Sequence, residues 1–84
     1  MTPIRKLLNR IHWDRTFRQA DFLIGYLDRI ENRIILAGLR EICFPKDAPN
    51  SFEVLDAEGQ RHRVPFHRVK EVYRNGERIW RRTH

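Results

Sequence analysis

The sequence predicts an α+β domain: one N-terminal helix packed on a strongly bent antiparallel sheet of five or six strands, with closure into a barrel left open. Three observations predict it. Ile4, Leu7, Leu8 and Ile11 fall at i, i+3, i+4 and i+7, the apolar stripe of a helix that faces a core. Short runs rich in Val, Ile, Tyr and Phe recur from Phe22 onward, separated by turn residues, as strands do. Asn75-Gly76 sits between two such runs, and its readiness for φ > 0 at both turn centres closes a two-residue hairpin. With 84 residues there is room for one domain and one core, but not for a large enclosed active-site cavity.

Thr2-Pro3 reads as the helix start, a hydroxyl N-cap followed by proline at the first helical position. The helix runs to about His12, with Arg5, Lys6, Asn9 and Arg10 on its polar side. Docking on a sheet is the expected use of its stripe, ahead of a membrane surface. Residues 13–20 form a loop anchored by Trp13 and Phe17. Asp21 to Arg29 holds a strand apolar on both faces, hence central. Asn32-Arg33 turns the chain into a second strand, Ile34 to Ala37. Phe44 to Ser51, with Pro45 and Pro49, is a loop. Phe52–Leu55 and Arg61–Val64 pair around Ala57-Glu58-Gly59, with Phe52, Val54, His62 and Val64 inward and Arg61 and Arg63 outward. Pro65 breaks that ladder and presents Phe66-His67-Arg68 at a bend.

In the closing hairpin the turn sets Arg74 opposite Glu77, Tyr73 opposite Arg78, Val72 opposite Ile79 and Glu71 opposite Trp80. Val72 and Ile79 then share an apolar face, and Tyr73, Arg78 and Trp80 share the other. Thr83-His84 fray. An approximate repeat at an offset of thirty sets Leu36 to Ile42 over Phe66 to Val72, each read as strand end, short turn and departing strand. In that alignment Ala37-Gly38 of the first copy becomes His67-Arg68 of the second.

The net charge of +6 has a location. Residues 1–59 hold nine Lys/Arg against nine Asp/Glu, whereas residues 60–84 hold eight against two. Such clustering favours a polyanionic partner through phosphate contacts and counterion release. Fourteen of the seventeen basic residues are Arg, whose planar fork suits phosphate. A genomic bias toward Arg explains that ratio equally, but not the clustering. The one cysteine, Cys43, has no partner for an internal disulfide; between Ile42 and Phe44 it reads as a buried apolar thiol. No signal peptide or membrane-spanning run is visible, so the expected setting is the cytoplasm, with no membrane partner. Metal-ligand spacing, a phosphate-binding glycine loop and paired phosphoesterase histidines are all missing, so no metal, cofactor or clear catalytic residue is expected. His67 with Arg68 is the one plausible reactive pair: an imidazole that can donate to a phosphate or act as an acid, beside a bidentate fork that Arg29 or Arg81 can also supply. Structural hydrogen bonding is the commoner use of such a pair. Tyr26 and Arg29, three apart at a strand end, either reach a common ligand or stand as a core phenol and a surface charge.

The order of these motifs resembles a family of small archaeal and bacterial proteins, the RNA cyclic group end recognition domain. The shared features span the chain: the helix around Ile4 to Arg10, Trp13-Asp14, the strand Ile24-Gly25-Tyr26-x-x-Arg29, Pro65-x-His67-Arg68-Val69, and the closing hairpin from Arg74 to Arg82. The resemblance implies recognition of RNA 3′ ends bearing a 2′,3′-cyclic phosphate, in company with RNA-processing enzymes. By position it falls on Tyr26, Arg29, His67, Arg68, Trp80 and Arg81, with the arginines supplying charge, His67 a hydrogen bond, and Tyr26 or Trp80 a stacking face. One departure is Asp28, where family members often carry His; a carboxylate there repels phosphate unless it orients Arg29. The leading expectation is a non-catalytic RNA-binding module. The alternatives are a small cyclic phosphodiesterase or ribonuclease using His67, and an adaptor for other proteins.

Overall fold

In the computed structural model, which describes residues 3–82, the apolar stripe winds into helix α1 (Ile4–Trp13). Leu7, Leu8 and Ile11 are buried and Ile4 packs against them, each side chain worth about 1.5–3 kcal/mol relative to exposure. Thr2, the expected cap, lies outside the described residues, as do Thr83 and His84. Pro3 stands one place earlier than expected, at the N-cap with φ −59° and ψ 142°, and its carbonyl accepts the Leu7 N–H at 3.2 Å. Asp14 ends the helix, and its Oδ1 accepts the Phe17 N–H to start the 3-10 turn η1 (Phe17–Gln19). Of the two aromatics expected to anchor this segment only Phe17 does so, with the guanidinium groups of Arg10 and Arg74 at 3.9 and 4.9 Å from its ring. Trp13 is 73% exposed.

Seven strands follow, all paired antiparallel: β1 (Phe22–Asp28), β2 (Arg33–Gly38), β3 (Ile42–Cys43), β4 (Ser51–Leu55), β5 (Arg61–Pro65), β6 (Val69–Arg74) and β7 (Glu77–Arg81). The α+β class holds, with the strands in two sheets, β2-β1-β6-β7 and β3-β4-β5, that do not close into a barrel. The β1 strand is central, as its two apolar faces predict. Ile24, Tyr26, Val69, Val72 and Phe52 meet α1 in one core. The other face of the four-stranded sheet carries Leu23, Ile34 and Leu36, all partly exposed. No described helix is long and apolar enough to cross a membrane.

Two 3-10 turns carry the chain from one sheet to the other: η2 (Leu39–Glu41) between β2 and β3, and η3 (Phe66–Arg68) between β5 and β6. The order β1-β2-η2-β3 is thus repeated as β4-β5-η3-β6. Each half gives its third strand to the other half's sheet, β3 pairing with β4 and β6 with β1. The expected duplication is present as topology, but the turns correspond at an offset of 27, Leu39 to Phe66, instead of thirty.

The Asn75-Gly76 turn forms as expected, with φ of 51° and 83°. Its strands depart from the simple register. Arg74 faces Glu77 and Tyr73 faces Arg78, but Ile79 is an extra residue and Val72 faces Trp80. That bulge reverses the parity of β7. It turns the indole, 7% exposed, onto the core face with Val72 and leaves Ile79 partly exposed. Cys43 is likewise corrected: opposite Glu53 on the two-residue strand β3, it faces out and is exposed, while Ile42 faces in.

Candidate nucleic-acid interface

Where the β1–β2 turn faces the β4–β5 turn, a groove of about 1130 Å³ lies open, and Arg68 of η3 lines it. Its apolar lining comes from inward strand residues, among them Ile35, Ala37, Val54 and Val64. Arg29 enters from the β1–β2 turn and Tyr26 from β1. The Nε of Arg68 is buried and has no hydrogen-bond partner among the described residues. A buried guanidinium donor without an acceptor costs about 1–3 kcal/mol or more.

Of the five carboxylates that line the groove, Asp28, Glu41 and Asp56 accept from backbone donors, while Glu31 pairs with Arg33 at 3.0 Å. Asp28 Oδ1 accepts the Ile30 and Glu31 N–H groups at 2.8 and 3.2 Å, closing its own turn. Glu41 Oε2 accepts the Gly38 N–H at 2.9 Å. Asp56 Oδ1 accepts the Glu58 and Gln60 N–H groups, and its Oδ2 lies 2.6 Å from Nε2 of His62. The His62 hydrogen bond foremost, then the backbone donors, hold the Asp56 carboxyl below its ordinary range. The Tyr26 ring packs edge-on against Phe52 with centroids 6.1 Å apart. Burial first, then the charges of Asp28, Asp56 and Glu41, raise its phenol above the ordinary tyrosine value, so it stays a proton donor.

The equivalence of the two halves explains why an arginine can stand at 68. Glu41 and Arg68 are the last residues of η2 and η3, and both line the groove. In η2 the N-cap residue is Gly38, whose N–H needs the Glu41 carboxylate. In η3 the N-cap is Pro65, which has no N–H to satisfy. Residue 68 is thereby free of the capping duty, and a cation replaces the carboxylate.

Comparison with known proteins gives matches over nearly the whole chain. A family model described as the MJ1316 RNA cyclic group end recognition domain matches residues 1–82. The chain belongs to the MJ1316 RNA cyclic group end recognition domain family. A UPF0248 protein of Methanococcus maripaludis (strain C5) is 32% identical over 82 residues, covering 94% of this chain and 97% of the relative. No solved structure matches.

In this MJ1316-family chain the six residues singled out from sequence divide among four places. Tyr26, Arg29 and Arg68 line the groove together. His67 is exposed on η3 and is not part of the groove lining. Arg81 faces Glu71 on the outer side of the four-stranded sheet, where Glu71 also accepts from Tyr73 Oη and Arg78. Trp80 is in the core, with the Arg82 guanidinium 5.2 Å from its ring. Neither Tyr26, 8% exposed, nor Trp80 presents an open ring face on which a base can stack, which corrects the stacking expectation.

The basic run of residues 60–84 is also dispersed rather than gathered in one patch. Arg61 and Arg63 bracket Glu53, and Arg78 pairs with Glu71. One groove residue, His62, reads from sequence only as an inward-facing side chain of its hairpin, with no functional role. Alternation puts it on the inward face opposite Val54, but at the end of β5 that face opens into the groove, and the side chain is 56% exposed. The signal available was an aspartate and a histidine flanking a glycine hairpin turn.

Proposed function

We propose that this MJ1316-family protein is a non-catalytic reader of RNA 3′ ends carrying a 2′,3′-cyclic phosphate. Its setting is RNA processing or repair in the cytoplasm, beside enzymes that make or consume such ends. The observation that carries the reading is Arg68, a guanidinium residue that lines the open groove and whose buried Nε has no acceptor among the described residues. Phosphate oxygens are its natural acceptors, and the Arg fork takes two of them at once. Arg29 adds a second cation from the facing turn, and Tyr26 a phenolic donor kept protonated by its surroundings. His67, next to Arg68 on η3, donates to the chain as it leaves the groove, and Arg81 contributes to the long-range field.

The test is a titration with short RNAs that differ only in a 3′ hydroxyl, linear phosphate or 2′,3′-cyclic phosphate, at two salt concentrations. The cyclic end binds tightest, and Arg68→Gln lowers that affinity by about tenfold or more, the size of a charge-assisted hydrogen bond. Equal, salt-sensitive binding of all three ends reduces the reading to a basic RNA-contacting surface. Following the cyclic end over time separates a reader, which leaves it intact, from a phosphodiesterase. A second reading, an adaptor for other proteins, is favoured by the partly exposed Leu23, Ile34 and Leu36 on the outer sheet face; it predicts that no RNA binds.

A further inference from the structure

Asp56 and His62 form a second polar station in the groove, across the β4–β5 turn from each other and apart from Arg68. Asp56 is fixed by the Glu58 and Gln60 backbone donors, so the imidazole is oriented by a carboxylate that cannot itself swing away. Because the carboxylate accepts at Nε2, that nitrogen carries a proton and Nδ1 is the one left to a ligand. When the ring is protonated, Nδ1 donates and the pair is neutral as a whole. When it is not, Nδ1 presents a lone pair and the Asp56 charge is uncompensated.

The charged groups around this ring come from four elements. Asp28, Arg29 and Glu31 lie on the β1–β2 turn, Glu41 on η2 and Arg68 on η3. Its own hairpin adds Glu58 and Arg63. Carboxylates and guanidinium groups as classes keep their charge between about pH 5.5 and 8, whereas an imidazole changes it there. Among the described groove residues, His62 is the one imidazole.

We propose that the Asp56–His62 pair is a second anion-binding position of the groove, taking a phosphate of the RNA chain when His62 is protonated. This rests on the end-reading of the groove, in which Arg68 takes the other phosphate. The result is an affinity for RNA ends that rises as pH falls.

The decisive measurement is the affinity for a short RNA ending in 2′,3′-cyclic phosphate from pH 5.5 to 8, using the full chain. A cyclic diester stays a monoanion throughout, unlike a phosphomonoester with its second pKa near 6. Affinity is expected to rise by about tenfold toward low pH. The rise is expected to be lost in His62→Gln and displaced to lower pH in Asp56→Asn. An independent readout is the His62 ring-proton NMR shift, whose midpoint moves to higher pH when the RNA is bound. Unchanged pH dependence in His62→Gln, with a midpoint indifferent to RNA, overturns the role of His62 and leaves the end-reader standing. Failure of any RNA to bind at any pH overturns both.

Discussion

A guanidinium with an unmet buried donor is a cost that folding carries, and Arg68 is such a group among the described residues; on the proposed reading, an RNA phosphate is held by the same side chain. Stability and binding should therefore respond to it in different directions. Arg68→Met is expected to leave the urea midpoint unchanged or slightly raised while weakening phosphate-ended RNA by about tenfold or more. Trp80 gives the opposite pattern. Truncation to Ala removes an indole from the core and should cost about 3–5 kcal/mol in chemical denaturation, with the affinity of the remaining folded protein little changed. Tyr26 contributes to pH dependence. A phenol whose folded value is raised gives stability that is complete below the unfolded value near pH 10 and lost as pH rises through the folded one. Tyr26→Phe should flatten that alkaline loss between about pH 9 and 11, read by denaturation at each pH. Arg68 and Arg29 were legible from sequence because a groove-facing arginine needs only a bend or turn to present it. Trp80 was not, because one extra residue in β7 reverses which side every following side chain takes.

At the scale of elements, the two 3-10 corners do different work with the same geometry. Glu41 closes η2 by accepting the Gly38 N–H, so Glu41→Ala should destabilise by about 0.5–2 kcal/mol, as loss of a cap does. The β6–β7 turn is held from outside as well. Asn75 Oδ1 accepts the Asp21 N–H at 2.9 Å, and the Asn75 N–H donates to the Asp21 carbonyl at 2.7 Å. Asn75→Ala keeps neither that side-chain bond nor the tolerance for φ 51°, and should cost about 1–2 kcal/mol in thermal or urea unfolding. The helix, the central strand and this turn were legible because each rests on local periodicity or a single strong dipeptide. The corners were not: a 3-10 turn leaves no periodic trace, so the repeat seen in sequence runs three residues out of phase with the one in the fold.

For the whole molecule, the exchange of third strands ties the halves into one cooperative unit. β6 joins β1 only after the β4–β5 hairpin and η3 have brought the chain back. Cutting the chain in the loop between β3 and β4, after Lys46, should give two fragments that are each unfolded by circular dichroism and regain structure when mixed. Folding of either fragment alone would contradict the interlocked account. The site at this scale was half legible. Charge balance along the chain marked the last quarter, but in space Glu53 and Glu71 neutralise part of it, and the groove draws on Arg29 and His62 as well. Sequence distance does not report which strands return to face one another.

The replacement of Glu41 by Arg68 at equivalent corners gives the groove a direction. Two identical halves about a twofold axis would read any strand the same way forwards and backwards, and a terminus is the one part of a polymer that has no such equivalence. With a carboxylate at one corner and a guanidinium at the other, the groove distinguishes head from tail. On the proposed reading, an RNA end would lie in one orientation, with its last phosphate toward residue 68.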